Sequence, residues 1–140
     1  MIGVLLFSQC KKDEEGWVFC VGCELSSWVG VYSGTGVYYT DNNGGKTVFD
    51  VPTTVTIENT DGTTLKTKVV AEDFFTINFT VDKNDNEFNI EIPGSNQSLS
   101  LTLSKRGSDY KLSGTAKDYR IQADTVYTYN SISFDVFKDQ

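Results

Sequence analysis

The sequence predicts an all-β domain, an antiparallel meander of about eight strands closing into a small up-and-down barrel. Two observations carry that expectation. Downstream of Trp28, β-branched and aromatic residues alternate with polar ones in short runs, and clusters of Gly, Asn and Asp separate the runs. No window of helical length keeps apolar residues at the 3.6-residue period, so almost no helix is expected. Eight sequential strands can close on themselves and leave no free edge, which favours the barrel. The alternative is a two-sheet β-sandwich, whose alternation would be nearly the same.

The runs follow in order. Trp28 to Tyr39 sets Val29, Val31 and Val37 on one parity against Trp28, Gly30, Tyr32, Gly34, Gly36 and Tyr38 on the other, and Asp41-Asn42-Asn43-Gly44-Gly45 supplies its turn. Glycines 30, 34 and 36 are expected to let this strand bend where a small barrel needs it. Val48 to Glu58 places Thr53, Val55 and Ile57 on one face, with Pro52 marking an edge, a bulge or the start of the regular strand. Asn59-Thr60-Asp61-Gly62 turns the chain into Leu65 to Val70. Phe75, Ile77, Phe79 and Val81 then alternate strictly with Thr76, Asn78 and Thr80. Phe88, Ile90 and Ile92 repeat the pattern, as do Leu99, Leu101 and Leu103. Tyr110 to Ala116 is the seventh run and Thr125 to Phe137 the eighth, expected to pair with the first and close the sheet.

Residues 1–10 read differently. Ile2 to Phe7 is apolar, Ser8-Gln9-Cys10 follows, and Lys11-Lys12-Asp13-Glu14-Glu15 comes at once. The apolar run is too short for a bilayer span, which needs about 20 residues. No Lys or Arg precedes Ile2, so the charged start of a leader is expected upstream of Met1. The order of apolar stretch, short spacer, single cysteine and charged tail resembles a bacterial lipoprotein signal, in which Cys10 becomes the lipidated first residue of the mature chain. Gln9 departs from the small residue usual at its position. Cys10 to Glu15 is similar to the opening of mature lipoproteins of Bacteroidota, where acidic residues after the lipidated cysteine act as a signal for export to the cell surface. The resemblance implies an outer-membrane, surface-exposed protein attached through lipid. A buried strand over 1–10 is the alternative. Residues 11–27 are expected to form a charged tether and 28–140 the barrel domain.

The composition narrows the partners. With 140 residues and 13% aromatics, one domain can bury a sizeable core. A net charge of −7 with scattered Lys and Arg disfavours nucleic acid. If Cys10 carries lipid, Cys20 and Cys23 remain as a pair. Outside the cytoplasm their simplest use is a disulfide closing a tight turn, with free thiols as the alternative. Zinc needs four ligands, and the chain offers no histidine and no second cysteine pair, so neither a metal nor a cofactor is expected.

Enzymatic chemistry has few candidates. Without histidine there is no Ser-His or Cys-His nucleophile pair. A carboxylate pair of glycosidase type, roughly 5–9.5 Å apart in a cleft, would have to come from Glu72, Asp73, Asp82, Asp85, Glu87 or Glu91, and nothing in their spacing selects two of them. Asp82, Asn84 and Asn86 occupy the first oxygen-ligand positions of a calcium loop, but Glu87 stands where Gly is needed and Pro93 where a bidentate Glu belongs. An Asn- and Asp-rich turn explains the same residues.

A small barrel either fills its interior or holds one small ligand. If a pocket exists, Trp28, Tyr32, Tyr38, Tyr127 and Tyr129 are its expected lining, because such rings bury apolar area while their polar tips fix orientation; otherwise they are core or rim. Trp28-Val29-Gly30-Val31-Tyr32 resembles the first strand of the calycin group, the lipocalin-like and avidin-like barrels, although those usually carry Gly-x-Trp. That resemblance implies architecture and no binding residue. Asp124-Thr125-Val126 is similar to the short motif that Bacteroidota use for O-glycosylation, which would make Thr125 a sugar acceptor. The expected protein is thus a non-enzymatic, lipid-anchored barrel that binds a small apolar or sugar-like ligand. An adhesion or envelope protein-interaction module is the alternative, and a carboxylate-based hydrolase the least favoured.

Overall fold

The computed structural model describes residues 16–59, 61–82, 89–123 and 126–139. Strand dominates because the alternation of apolar and polar residues lets one sheet face be buried while the other meets water. The strands are β1 (Val18–Phe19), β2 (Gly30–Asn42), β3 (Gly45–Asn59), β4 (Thr64–Ala71), β5 (Phe75–Asp82), β6 (Asn89–Ile92), β7 (Gln97–Arg106), β8 (Asp109–Ala123) and β9 (Val126–Lys138). One short helix, α1 (Leu25–Trp28), precedes β2.

All ladders are antiparallel and belong to one sheet, in the order β1-β7-β8-β9-β2-β3-β4-β5, with β6 beside β1 along the same edge of β7. The long first and last runs do pair: Gly36 lies opposite Phe134 and Tyr38 opposite Ile132. The sheet curls into a half-barrel, the barrel-like all-β architecture the alternation implies, and not into two stacked sheets. Among the described residues no ladder joins β5 to β6.

The buried face is the one the alternation marks. Tyr32, Val55, Ile57, Leu65, Val69, Leu101, Leu103, Leu112, Ile132 and Val136 are fully enclosed and form one core. Two glycines of this face are required by their neighbours. A Cβ on Gly36 would stand 2.5 Å from Thr53 Oγ1 and 2.8 Å from Ile132 Cδ1, and one on Gly114 would collide with the Ser100 carbonyl oxygen. Pro52 is tolerated inside a long strand because its carbonyl side faces β4 just beyond the ladder, which starts at Thr53 opposite Ala71; that carbonyl accepts from Glu72 N at 3.0 Å.

The N-terminal part differs from the expected tether of residues 11–27. From Trp17 onward the chain is packed: Val18 and Phe19 pair with Lys105 and Ser104, Cys20 N donates to Leu103 O at 2.9 Å, and Cys20, Cys23 and Leu25 are buried. The backbone of β1 takes up part of the otherwise free edge of β7, which overrides the weak local pattern. Trp28, expected at the start of the first strand, instead ends α1. Strand β8 runs seven residues beyond the expected Ala116 and shifts register between Ile121 and Ala123.

Candidate functional site

The strand directions give the half-barrel two ends. The α1 segment, the β7–β8 turn and the C-terminus of β9 lie at one end; the β2–β3 hairpin, the β4–β5 turn, the β6–β7 loop and the C-terminus of β8 lie at the other. Three of the five expected ligand-lining residues belong to the packed interior. Trp28 and Tyr32 are completely enclosed and Tyr38 is 6% exposed. The Tyr32 hydroxyl donates to Trp28 O at 2.8 Å, and burial, with Tyr110 nearby, pushes its phenol far above the ordinary value. Tyr38 donates to Asn130 Oδ1 at 2.7 Å and packs with Phe49, Phe74 and Phe75. These three positions are part of the core, the alternative the sequence held open for them.

The other two, Tyr127 and Tyr129, sit on the outer face with partners the sequence reading missed. Tyr119 lies directly opposite Tyr129 on β8, and Tyr39 lies diagonal to it on β2. Ring centroids are 5.6 Å apart for Tyr39–Tyr129, 6.4 Å for Tyr119–Tyr129 and 6.0 Å for Tyr119–Tyr127. The buried carboxylate of Asp41 anchors this face: it accepts from Gly44 N at 2.7 Å and from the Tyr127 hydroxyl at 3.3 Å. Partial desolvation and then the Asp41 charge raise the Tyr127 phenol above its ordinary value. Asn43 fixes the hairpin tip against β9, its side chain accepting from Tyr127 N at 2.7 Å and its backbone N–H donating to Tyr127 O at 3.2 Å.

A groove of about 640 Å³ adjoins the tyrosines where β8 outruns β7, between Asn96, Gln97, Asp118, Tyr119, Arg120 and Ile121. Asp118 is held by Arg120 Nε at 3.0 Å and Gln97 Nε2 at 3.3 Å. The groove therefore offers amides, a carboxylate and a guanidinium around the edge of β8, with Tyr119 the tyrosine that lines it. That set can stack on a flat or puckered ring and hydrogen-bond its hydroxyls.

Among the described residues, acid–base chemistry finds no comparable constellation. Asp41 shares a face with Tyr129, whereas Asp118 shares the opposite face with Asn130, so these two buried carboxylates do not converge. Glu72 and Asp73 are exposed in the β4–β5 turn, Asp82 accepts from Thr64, and Glu91 accepts from Ser100. No cluster of three metal-ligating side chains occurs among the described residues. Cys20 and Cys23 are joined in a disulfide with Cα atoms 5.5 Å apart. Cys10 and Thr125 lie outside the described residues, as do Asn84, Asp85, Asn86 and Glu87 of the calcium-like stretch.

Fold and site together define an all-β, antiparallel, barrel-like domain with one packed core and an aromatic outer face at one end. Comparison with protein-family models, with curated proteins and with solved structures finds no match. The likenesses to lipoproteins and calycins rest on the residues that suggested them.

Proposed function

We infer that this chain is a lipid-anchored, extracytoplasmic binding module of the outer membrane, non-enzymatic, whose ligand is sugar-like and is held on the outer tyrosine face. The observation that carries the reading is the grouping of Tyr39, Tyr119, Tyr127 and Tyr129 with Asp41, beside a groove of amide and charged side chains. Half-buried tyrosines with fixed rings cost little ordering entropy on binding, and the neighbouring polar groups select a polyhydroxylated ring over a purely apolar one. The buried face carries one packed core of aliphatic and aromatic side chains, which favours the outer face for a ligand.

Calorimetric titration with a panel of neutral oligosaccharides tests this. Tyr129→Ala and Tyr119→Ala are each expected to weaken the tightest sugar by about tenfold, near 1.4 kcal/mol, with far-UV circular dichroism unchanged. Equal affinity in both variants would overturn the reading. A saturable protein partner lost in the same variants, with no sugar bound by the parent, would favour the interaction module instead.

A further inference from the structure

We propose that the end of the sheet formed by Trp17–Val21, the β7–β8 turn and the C-terminal part of β9 is a docking face for a phospholipid bilayer surface. The inference rests on the reading of Cys10 as the lipidated residue. Val18, Phe19, Val21 and Phe137 are 57%, 60%, 68% and 44% exposed at this end, an apolar group on an otherwise strongly acidic chain. Trp17 packs its ring 5.7 Å from that of Phe137. Cations surround the indole: the Arg106 guanidinium carbon lies 4.5 Å from the ring centre and Lys111 Nζ 5.1 Å from it. Lys105 is the cross-strand partner of Val18, and a groove of about 450 Å³ is lined by Trp17, Val18, Phe19, Ser104 and Lys111. Asp109, opposite Arg106, is the acidic member of the same turn. Apolar and indole side chains collared by Lys and Arg are what a headgroup layer accommodates, the rings entering the acyl boundary and the cations meeting phosphates.

Chain length selects a bilayer over a protein as the occupant. Six residue steps separate Cys10 from Gly16, which span at most about 20 Å when extended. Val18–Phe19 cannot swing away from the domain, because β1 is hydrogen-bonded to β7 and Cys20 N is bound to Leu103 O at 2.9 Å. A lipid at Cys10 thus holds these exposed side chains close to the membrane plane. The same geometry points the tyrosine face outward: Tyr119–Tyr129 lies eight residues along β8 from Lys111–Phe137, about 26 Å.

The test uses the full chain, oxidised at Cys20–Cys23 and coupled through Cys10 to a maleimide-headgroup lipid. The vesicles are phosphatidylethanolamine and phosphatidylglycerol carrying acyl-chain bromines. Trp17 fluorescence, taken as the difference from a Trp17→Phe chain, is expected to be quenched on the brominated vesicles, and Phe19→Ser/Val21→Ser is expected to lose most of that quenching while keeping its circular dichroism. Unquenched Trp17, or equal quenching in the double variant, would overturn the docking face. Because the tether is supplied chemically, the anchor is judged separately by intact mass of protein from its native host. An unmodified Cys10 thiol there refutes the anchor, and with it the docking role, whatever the vesicles show; an acylated Cys10 with unquenched Trp17 refutes the docking face alone.

Discussion

Phe134→Ala removes a ring from the place where the half-barrel has least to fill the gap. Phe134 is 6% exposed on β9, and its cross-strand partners on both sides, Gly36 and Gly114, have no side chains. Truncating a buried Phe costs about 3–5 kcal/mol, the larger values belonging to sites that cannot collapse. Neither neighbour can be enlarged to compensate: a Cβ at Gly36 meets Thr53 Oγ1 and Ile132 Cδ1, and one at Gly114 meets the Ser100 carbonyl. The expected loss is therefore about 4 kcal/mol, seen in urea titration as a lower midpoint at unchanged slope and in melting as a fall of roughly 10–15 °C. Adding Gly36→Ala to Phe134→Ala is expected to lower stability further, not restore it. A loss under about 1 kcal/mol, or a rescue by Gly36→Ala, would refute the packing described for this face.

Three further outcomes are expected. Thr67, buried between Ile57 and Phe79 in the adjoining strands, has a hydroxyl with no hydrogen-bond partner among the described residues, so Thr67→Val should raise stability by about 1 kcal/mol in the same urea assay, and a decrease would contradict this. Opening Cys20–Cys23 with a non-denaturing reductant, or Cys20→Ser/Cys23→Ser, releases a four-residue loop worth roughly 2 kcal/mol in the chain-entropy view, read as a lower melting temperature that an unaffected melt would deny. Tyr32 and Tyr127 have phenols raised in the folded state, so their contribution is intact below the unfolded tyrosine value of about 10 and is lost as pH rises past it. Absorbance at the phenolate band should show fewer tyrosines ionising before alkaline unfolding than the seven present, and all seven titrating normally in the native state would contradict it.

The strands were legible because their chemistry is periodic. Phe75, Ile77 and Phe79 bury one face at every second residue, and the Gly-Asn-Asp cluster at 41–45 ends β2 with the hairpin it implies. The packing of Trp17–Cys23 was not legible, since a two-residue strand has no period and acquires one only against the edge of β7. Four helical residues at Leu25–Trp28 leave equally little trace. Tyr39 and Tyr119 escaped notice for another reason. Each looks like a routine member of a polar run, and their meaning comes from register across β2, β9 and β8. Only part of it was written locally: Tyr127 and Tyr129 share a parity, but Tyr119 meets Tyr129 only through the register shift between Ile121 and Ala123. Asp41 and Asp118 gave none, because a buried anchoring carboxylate and an exposed turn Asp are written alike.

Amide chemical-shift mapping asks most directly where this molecule binds. Neutral oligosaccharides and, separately, palmitate are titrated into the isotopically labelled full chain. Shifts with the sugar should centre on Tyr39, Asp41, Tyr119, Tyr127 and Tyr129, and Tyr32, Leu101 and Leu103 should stay still with either probe. Palmitate moving the interior residues, or sugar leaving the tyrosine face untouched, would contradict a filled half-barrel that binds on its outer wall.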